Sequence, residues 1–288
     1  MVSAERDSLH LVTVVGGYVD VLPHMLAHYR GLGVDSFLVH VQAEETDDPV
    51  IAQTEAIMRE FWGEIASVTV GEWLHNTNRE LYRRAMQARP DDWFVIADQD
   101  ELQVYPRELR SILDECDRRG YEYVEGCFLD RLAADGSFPA VRREESIWRQ
   151  FPLAGFVSAR ILAANPNKVV AAKGRVELGP GQHYANISGS RPGGAGGCGC
   201  PVEELYVPVH HFKWVEGVLE RLEQRAAFRR ERGDRYWEES QRFVDYCRAH
   251  GGKLDVKDES LYLAEAMPEY ARWEEVKRLS LEMARASR

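Results

Sequence analysis

A chain of 288 residues that is 44% hydrophobic and 29% charged has an ordinary globular composition and enough length for a sizeable core. Its 36 basic against 47 acidic residues leave a formal charge of −11, which argues against a broad basic face for nucleic acid or anionic lipid. No apolar run approaches the roughly 20 residues that span a bilayer, and the first residues mix both charges. With five scattered cysteines that suit reduced thiols, the reading is a cytoplasmic protein with no integral membrane segment.

Strand and helix signals alternate from the start. Leu9 to Val15 is a β-branched run stopped by Gly16-Gly17, and a helix is predicted over Val21 to Gly31, where Leu22, Met25, Leu26 and Tyr29 share one face. A strand over Ser36 to Val41 follows, then a helix over Val50 to Trp62 with Pro49 in its first turn. Ile65 to Val70 is a third strand, Trp73 to Gln87 a helix, and Trp93 to Ala97 a fourth strand. Strands joined by helices of this length imply parallel pairing. The predicted architecture is therefore α/β, a Rossmann-like, mostly parallel sheet flanked by helices. Pro106 to Arg119 reads as a further helix and Tyr121 to Leu129 as a strand. Irregular, Gly- and Pro-punctuated sequence then runs to about Val209. Beyond Val215 the periodicity is helical, which sets an α/β domain at 1–212 and a C-terminal helical extension at 213–288.

The most informative segment is Trp93-Phe-Val-Ile-Ala-Asp98-Gln99-Asp100-Glu101-Leu102, where an apolar strand ends in three carboxylates within four residues. Ligands of open α/β sheets bind beyond the carboxyl ends of the strands. Bunched carboxylates there repel one another unless a cation compensates, and hard oxygen ligands suit Mg²⁺ or Mn²⁺. The plain alternative is a solvated turn. A second cluster, His210-His211-Phe212-Lys213, closes a short apolar segment and offers a nitrogen ligand and an ammonium. His183 competes for the ligand role. Cys198-Gly-Cys200 is half of a zinc site with no second half.

The ordered set of signals resembles the GT-A fold of nucleotide-sugar glycosyltransferases, and within it the family-2-like and family-92-like group. Met25-Leu-Ala-His28-Tyr29-Arg-Gly-Leu-Gly33-Val34-Asp35-Ser-Phe37 is similar to that group's His-Tyr helix, Asp98-Gln99-Asp100-Glu101-Leu102 to its Asp-x-Asp-Glu segment, and His210-His211-Phe212 to its late histidines. The resemblance implies a metal-dependent glycosyltransferase that moves a sugar from a nucleotide diphosphate sugar to an unidentified acceptor. It places Asp98, Asp100 and His211 on the divalent cation, and the nucleotide against Val15, Gly16, Gln42, Asp98, Gln99 and Lys213. Two segments depart from the pattern. Gly16-Gly17 stands where the group carries Asn-Glu, and Gln42-Ala-Glu-Glu-Thr46-Asp47 stands where it carries Asp-Asn-x-Ser-Thr-Asp.

An inverting transferase also needs a proton acceptor, and Asp130, predicted at a strand end, is the candidate base. The alternative is an ion pair from Asp130 to Arg131 or Arg142. Two further readings compete: a nucleotidyltransferase on an open α/β sheet, and a catalytically degenerate nucleotide- or carbohydrate-binding module. Against the first, no Gly-rich phosphate loop follows the opening strand. Finally, the glycine-rich stretch 188–200 is predicted to be a lid that orders on donor binding, the alternative being an insertion with no role.

Overall fold

The computed structural model describes residues 8–74, 76–186, 198–265 and 273–286. The chain forms two compact units, one of residues 1–126 and 167–209, the other of residues 127–166 and 210–288.

The first unit opens with β1 (Leu9–Val15), α1 (Leu22–Gly31), β2 (Ser36–Ala43), α2 (Pro49–Glu60), β3 (Ile65–Val70), α3 (Thr77–Gln87) and β4 (Trp93–Ile96). β5 (Glu101–Gln103), α4 (Leu109–Arg119) and β6 (Tyr121–Leu132) follow, and β6 continues into the second unit. β1 pairs in parallel with both β2 and β4, and β2 in parallel with β3. Every side chain of β1 and β4 is buried, as expected for strands covered on both faces. Leu81, Tyr82 and Met86 of α3 pack on Val12, Val14, Phe94 and Ile96. The fold is thus α/β with a mostly parallel sheet flanked by helices, as the alternation predicts.

Two differences from the sequence reading bear on function. α3 starts at Thr77, so Trp73 belongs to the connection from β3 rather than to a helix. The region read as irregular holds a fully buried strand, Asn167–Lys173, antiparallel to β4. Its two lysines interrupt the apolar run that would have announced it.

The second unit pairs Asp130, Arg131 and Leu132 of β6 antiparallel with Leu153–Gly155. Helices Val218–Glu231 and Trp237–Ala249 enclose a core of Leu132, Val157, Trp214, Val218, Leu222, Phe243, Val244 and Leu254. The indole of Trp214 stacks on Phe243 at 4.3 Å between centroids. The C-terminal helices therefore share their core with the internal segment 127–166. A one-turn π-helix, Ser158–Leu162, interrupts that segment, a rarity that recurs at functional sites.

The predicted Asp135-Gly136 turn is present, with Asp135 accepting from the Ser137 amide at 3.0 Å and hydroxyl at 2.6 Å. Gly136 has φ +75°, and a Cβ there would lie 2.1 Å from the Leu254 carbonyl oxygen. Gly136→Ala should therefore lower stability by at least about 2 kcal/mol, backbone conformation and clash together. Urea denaturation measures it, and an unchanged midpoint would refute the contact.

Candidate functional site

β4 delivers its chain end into the acidic turn Asp98–Glu101, and α1 holds that turn in place. His28 donates from Nε2 to the Gln103 carbonyl at 2.7 Å. Tyr29, wholly buried, donates to the Glu101 carbonyl at 3.0 Å and accepts from the Gln103 amide at 3.2 Å. Asp35 accepts from the Leu9 amide at 2.7 Å and pairs with Arg110 at 2.6 Å, pinning the start of β1. In the segment Met25 to Phe37, one of those that carry the resemblance, His28 and Tyr29 thus hold the acidic turn and Asp35 holds the start of β1.

The carboxylates already have a cation. Lys168, 3% exposed on the side chain, places Nζ 3.0 Å from Asp98 Oδ2, 2.8 Å from Glu101 Oε1 and 2.5 Å from Gln182 Oε1. Asp98 Oδ1 accepts from Asn78 at 3.1 Å, Tyr82 at 2.9 Å and Gln182 at 3.1 Å. Burial alone would raise the Asp98 pKa, yet the Lys168 charge and these donors hold it well below the usual carboxylate range. Burial likewise disfavours the Lys168 ammonium, and Asp98 and Glu101 overcome that and push its pKa up. A divalent ion on Asp98 would face this ammonium across one carboxylate, and the two like charges repel. Asp98 therefore does not fit the predicted role of metal ligand. Among the described residues, no three His, Cys, Asp or Glu side chains are grouped to hold a metal ion.

His183 lies beside this network and donates from Nδ1 to the Asn167 carbonyl at 2.8 Å. Burial, with the Lys168 charge, lowers its pKa to about 4. The folded protein therefore resists protonating a group that titrates near 6.5 when unfolded. Stability should fall with pH from about 6.5 towards 4, by up to about 1.4 kcal/mol per pH unit from this residue. Denaturation midpoints between pH 7 and 4.5 test this. His183→Gln should flatten that slope, and equal slopes would refute it.

The mouth of the sheet lies at its topological switch. The chain moves outward from β1 to β2 and β3, then returns to place β4 on the other side of β1. At the carboxyl ends of β1 and β4, Gln99 donates from Nε2 to the Gly16 carbonyl at 3.3 Å. The Tyr18 hydroxyl donates to Asp100 Oδ2 at 2.5 Å. Gln42, at the end of β2, donates to the Gly71 carbonyl at 2.6 Å. Gly16 thus neighbours both Gln42 and Gln99, and Val15 before it is buried. Tyr18, Asn78, Tyr82, Lys168 and Gln182 escaped the sequence reading. No local motif marks them, because they converge on the acidic turn from four separate segments.

The other predicted site residues belong to the second unit. Asp130, 1% exposed, accepts from the Ser158 amide and hydroxyl, both at 2.7 Å, from His211 Nδ1 at 3.1 Å and from Trp214 Nε1 at 3.0 Å. The ion pair to Arg131 or Arg142 is not formed. Arg131 donates to the Phe151 carbonyl and lies over Trp148, while Arg142 pairs with Glu145. Lys213 Nζ lies 5.5 Å from the Trp214 ring centroid. Residues 188–197 of the predicted lid lie outside the described residues, and 198–200 form a short strand parallel to β6.

No protein-family model and no curated protein sequence matches the chain. Among solved structures it is similar to a putative glucose-1-phosphate thymidylyltransferase from Bacillus anthracis in complex with a sucrose, with TM-score 0.29, 11% identity, 46% of this chain and 58% of that one. For CMP:2-keto-3-deoxy-manno-octonic acid synthetase complexed with CTP the values are 0.28, 13%, 44% and 54%. For HddC from Yersinia pseudotuberculosis they are 0.28, 7%, 43% and 59%. The chain thus spans between about half and three fifths of the length of each structure. At TM-scores this low these likenesses assign neither family nor activity. Among the described residues, no helix is long and apolar enough to cross a membrane.

Proposed function

We propose that the chain is a glycosyltransferase that binds a nucleotide diphosphate sugar at the mouth of its first unit and transfers the sugar to an acceptor nucleophile. The observation that carries this reading is the switch between β1 and β4, where Gly16, Gln42, Gln99 and the Tyr18–Asp100 pair gather at the strand ends. A crevice of this kind is where open α/β sheets take nucleotides. Asp100 and Gln99 supply an acceptor and an amide for ribose hydroxyls and base edges. Asp98 is a positioning residue here, held by Lys168 and holding Gln182 in turn. In the transfer, a bond forms from the acceptor to the anomeric carbon as the bond to the departing diphosphate breaks, and the acceptor's proton passes to that diphosphate or to water. The sequence resemblance favours this reaction, whereas the mouth itself would also serve nucleotidyl transfer.

A thermal-shift screen of nucleotide sugars, nucleoside triphosphates and free sugars, each with and without Mn²⁺, decides between them. A ligand at a hundredfold excess over its Kd stabilises the fold by about 2.7 kcal/mol, a rise of several degrees in Tm. Stabilisation by one nucleotide sugar, lost in Asp100→Asn, is the expected result. Stabilisation by triphosphates alone would replace the proposal with nucleotidyl transfer. Binding of a nucleotide sugar without turnover on any acceptor would leave a binding module.

A further inference from the structure

We propose that Trp73 is the platform on which the donor's nucleobase stacks, and that residue 16 is glycine so that the indole can lie across the end of β1. This rests on the nucleotide-binding reading above. A Cβ at Gly16 would lie 2.3 Å from Cζ3 and 2.9 Å from Cε3 of Trp73. Gly17, with φ +75°, is glycine for its backbone conformation, but Gly16 is absent from the positive-φ residues. The need for glycine at 16 therefore comes from the approach of the ring, together with the Gln42 carbonyl oxygen 2.9 Å from the same Cβ position.

The platform is held from both sides. The Gly71 amide donates to the Ala43 carbonyl at 2.9 Å, and Gln42 Nε2 donates to the Gly71 carbonyl at 2.6 Å, tying the chain before Trp73 to the end of β2. Beyond it, the Leu74 amide donates to Thr77 Oγ1 at 2.9 Å, joining the segment to the start of α3. Trp73 nevertheless keeps 41% of its surface exposed, although tryptophan is among the most buried residues on average. An indole seated on a strand end at the switch point, anchored and still open, has the character of a stacking surface. It also accounts for the departure at Gly16-Gly17. Where the resembled group carries a polar Asn side chain, this chain has an indole ring. Stacking reads the flat face shared by every base.

Titration calorimetry on the full chain, with UDP, GDP, ADP, CDP and TDP, identifies the diphosphate that the wild type binds. For that diphosphate, Trp73→Ala should weaken affinity roughly 10- to 100-fold, the range of base–aromatic stacking. Trp73→Phe should retain most of the affinity. Gly16→Ala, which displaces the ring, should mimic Trp73→Ala. Should Gly16→Ala fail to fold, the two Trp73 variants carry the test. Unchanged diphosphate affinity in Trp73→Ala overturns the platform and leaves the nucleotide reading standing. Weaker binding of the sugar nucleotide alone, with the bare diphosphate unaffected, makes Trp73 a sugar contact and also overturns it. A wild type that binds none of these diphosphates refutes the nucleotide reading itself.

Discussion

Replacing Lys168 with methionine should cost the fold about 3–5 kcal/mol at pH 7, the penalty for stranding buried charge. The side chain is 3% exposed, and its partners Glu101 and Asp98 are 1% and 28% exposed, so solvent screens the cluster little. Asp98→Asn should cost less, because Lys168 retains Glu101. The pH dependence carries the sign of the shifts. Asp98 titrates below its unfolded value, so its contribution is present above about pH 4 and fades as pH falls towards the folded pKa. Lys168 titrates above its unfolded value, so its contribution is complete below about pH 10 and fades only as pH rises through the folded pKa. The loss in Lys168→Met should therefore be largest at neutral to alkaline pH and shrink as pH falls, because the stranded carboxylates, buried without a cation, take up protons above their ordinary range. Mn²⁺ should restore part of the loss in Lys168→Met, because a divalent ion then replaces the missing ammonium. A variant as stable as wild type in urea would show that Lys168 is not the compensating cation.

The acidic turn illustrates what a sequence conveys about such a site. That bunched carboxylates at the end of a buried strand call for a cation is local electrostatics, and two of the three, Asp98 and Glu101, share Lys168. Which cation cannot be read locally, because Lys168 is 70 residues from Asp98 in the chain. In sequence Lys168 sits in Asn167-Lys-Val-Val-Ala-Ala-Lys173, whose charged ends obscure a strand with every side chain buried. The β1, β2, β3 and β4 runs were legible because their apolar stretches are bounded by glycine, proline or acidic turns. Trp73 was misplaced for a related reason. Its spacing fits helical periodicity, while the helix begins four residues later at Thr77.

Asp130 shows the same division between what is local and what is not. Its place in an extended segment was legible, and its partners were not, since His211 and Trp214 lie 81 and 84 residues away. A buried carboxylate that accepts four hydrogen bonds orients its donors. It fixes the Nδ1–H tautomer of His211, the device by which carboxylates set imidazole geometry in many sites.

Asp130→Asn should accordingly lower stability by about 3 kcal/mol, among the largest effects of any isosteric change in the second unit. One amide oxygen can still serve the donors now on Oδ1, which are the Ser158 hydroxyl, His211 and Trp214. The amide NH₂ must then face the Ser158 backbone N–H, now 2.7 Å from Oδ2, donor against donor in a buried site. Turning the amide over relieves that contact but places NH₂ against three donors, so neither orientation satisfies the cluster. Ser158→Ala removes only the hydroxyl bond and should cost about 1 kcal/mol. Because both variants act on one network, the double variant should be less destabilised than the sum, with a coupling of at least about 0.5 kcal/mol. Urea denaturation of the four proteins measures the cycle. ¹⁵N spectra of the imidazoles supply an independent readout, since Asp130→Asn should release His211 from a single tautomer while Ser158→Ala should not. Additive energies, or a His211 tautomer indifferent to Asp130, would dissolve the cluster into unrelated contacts.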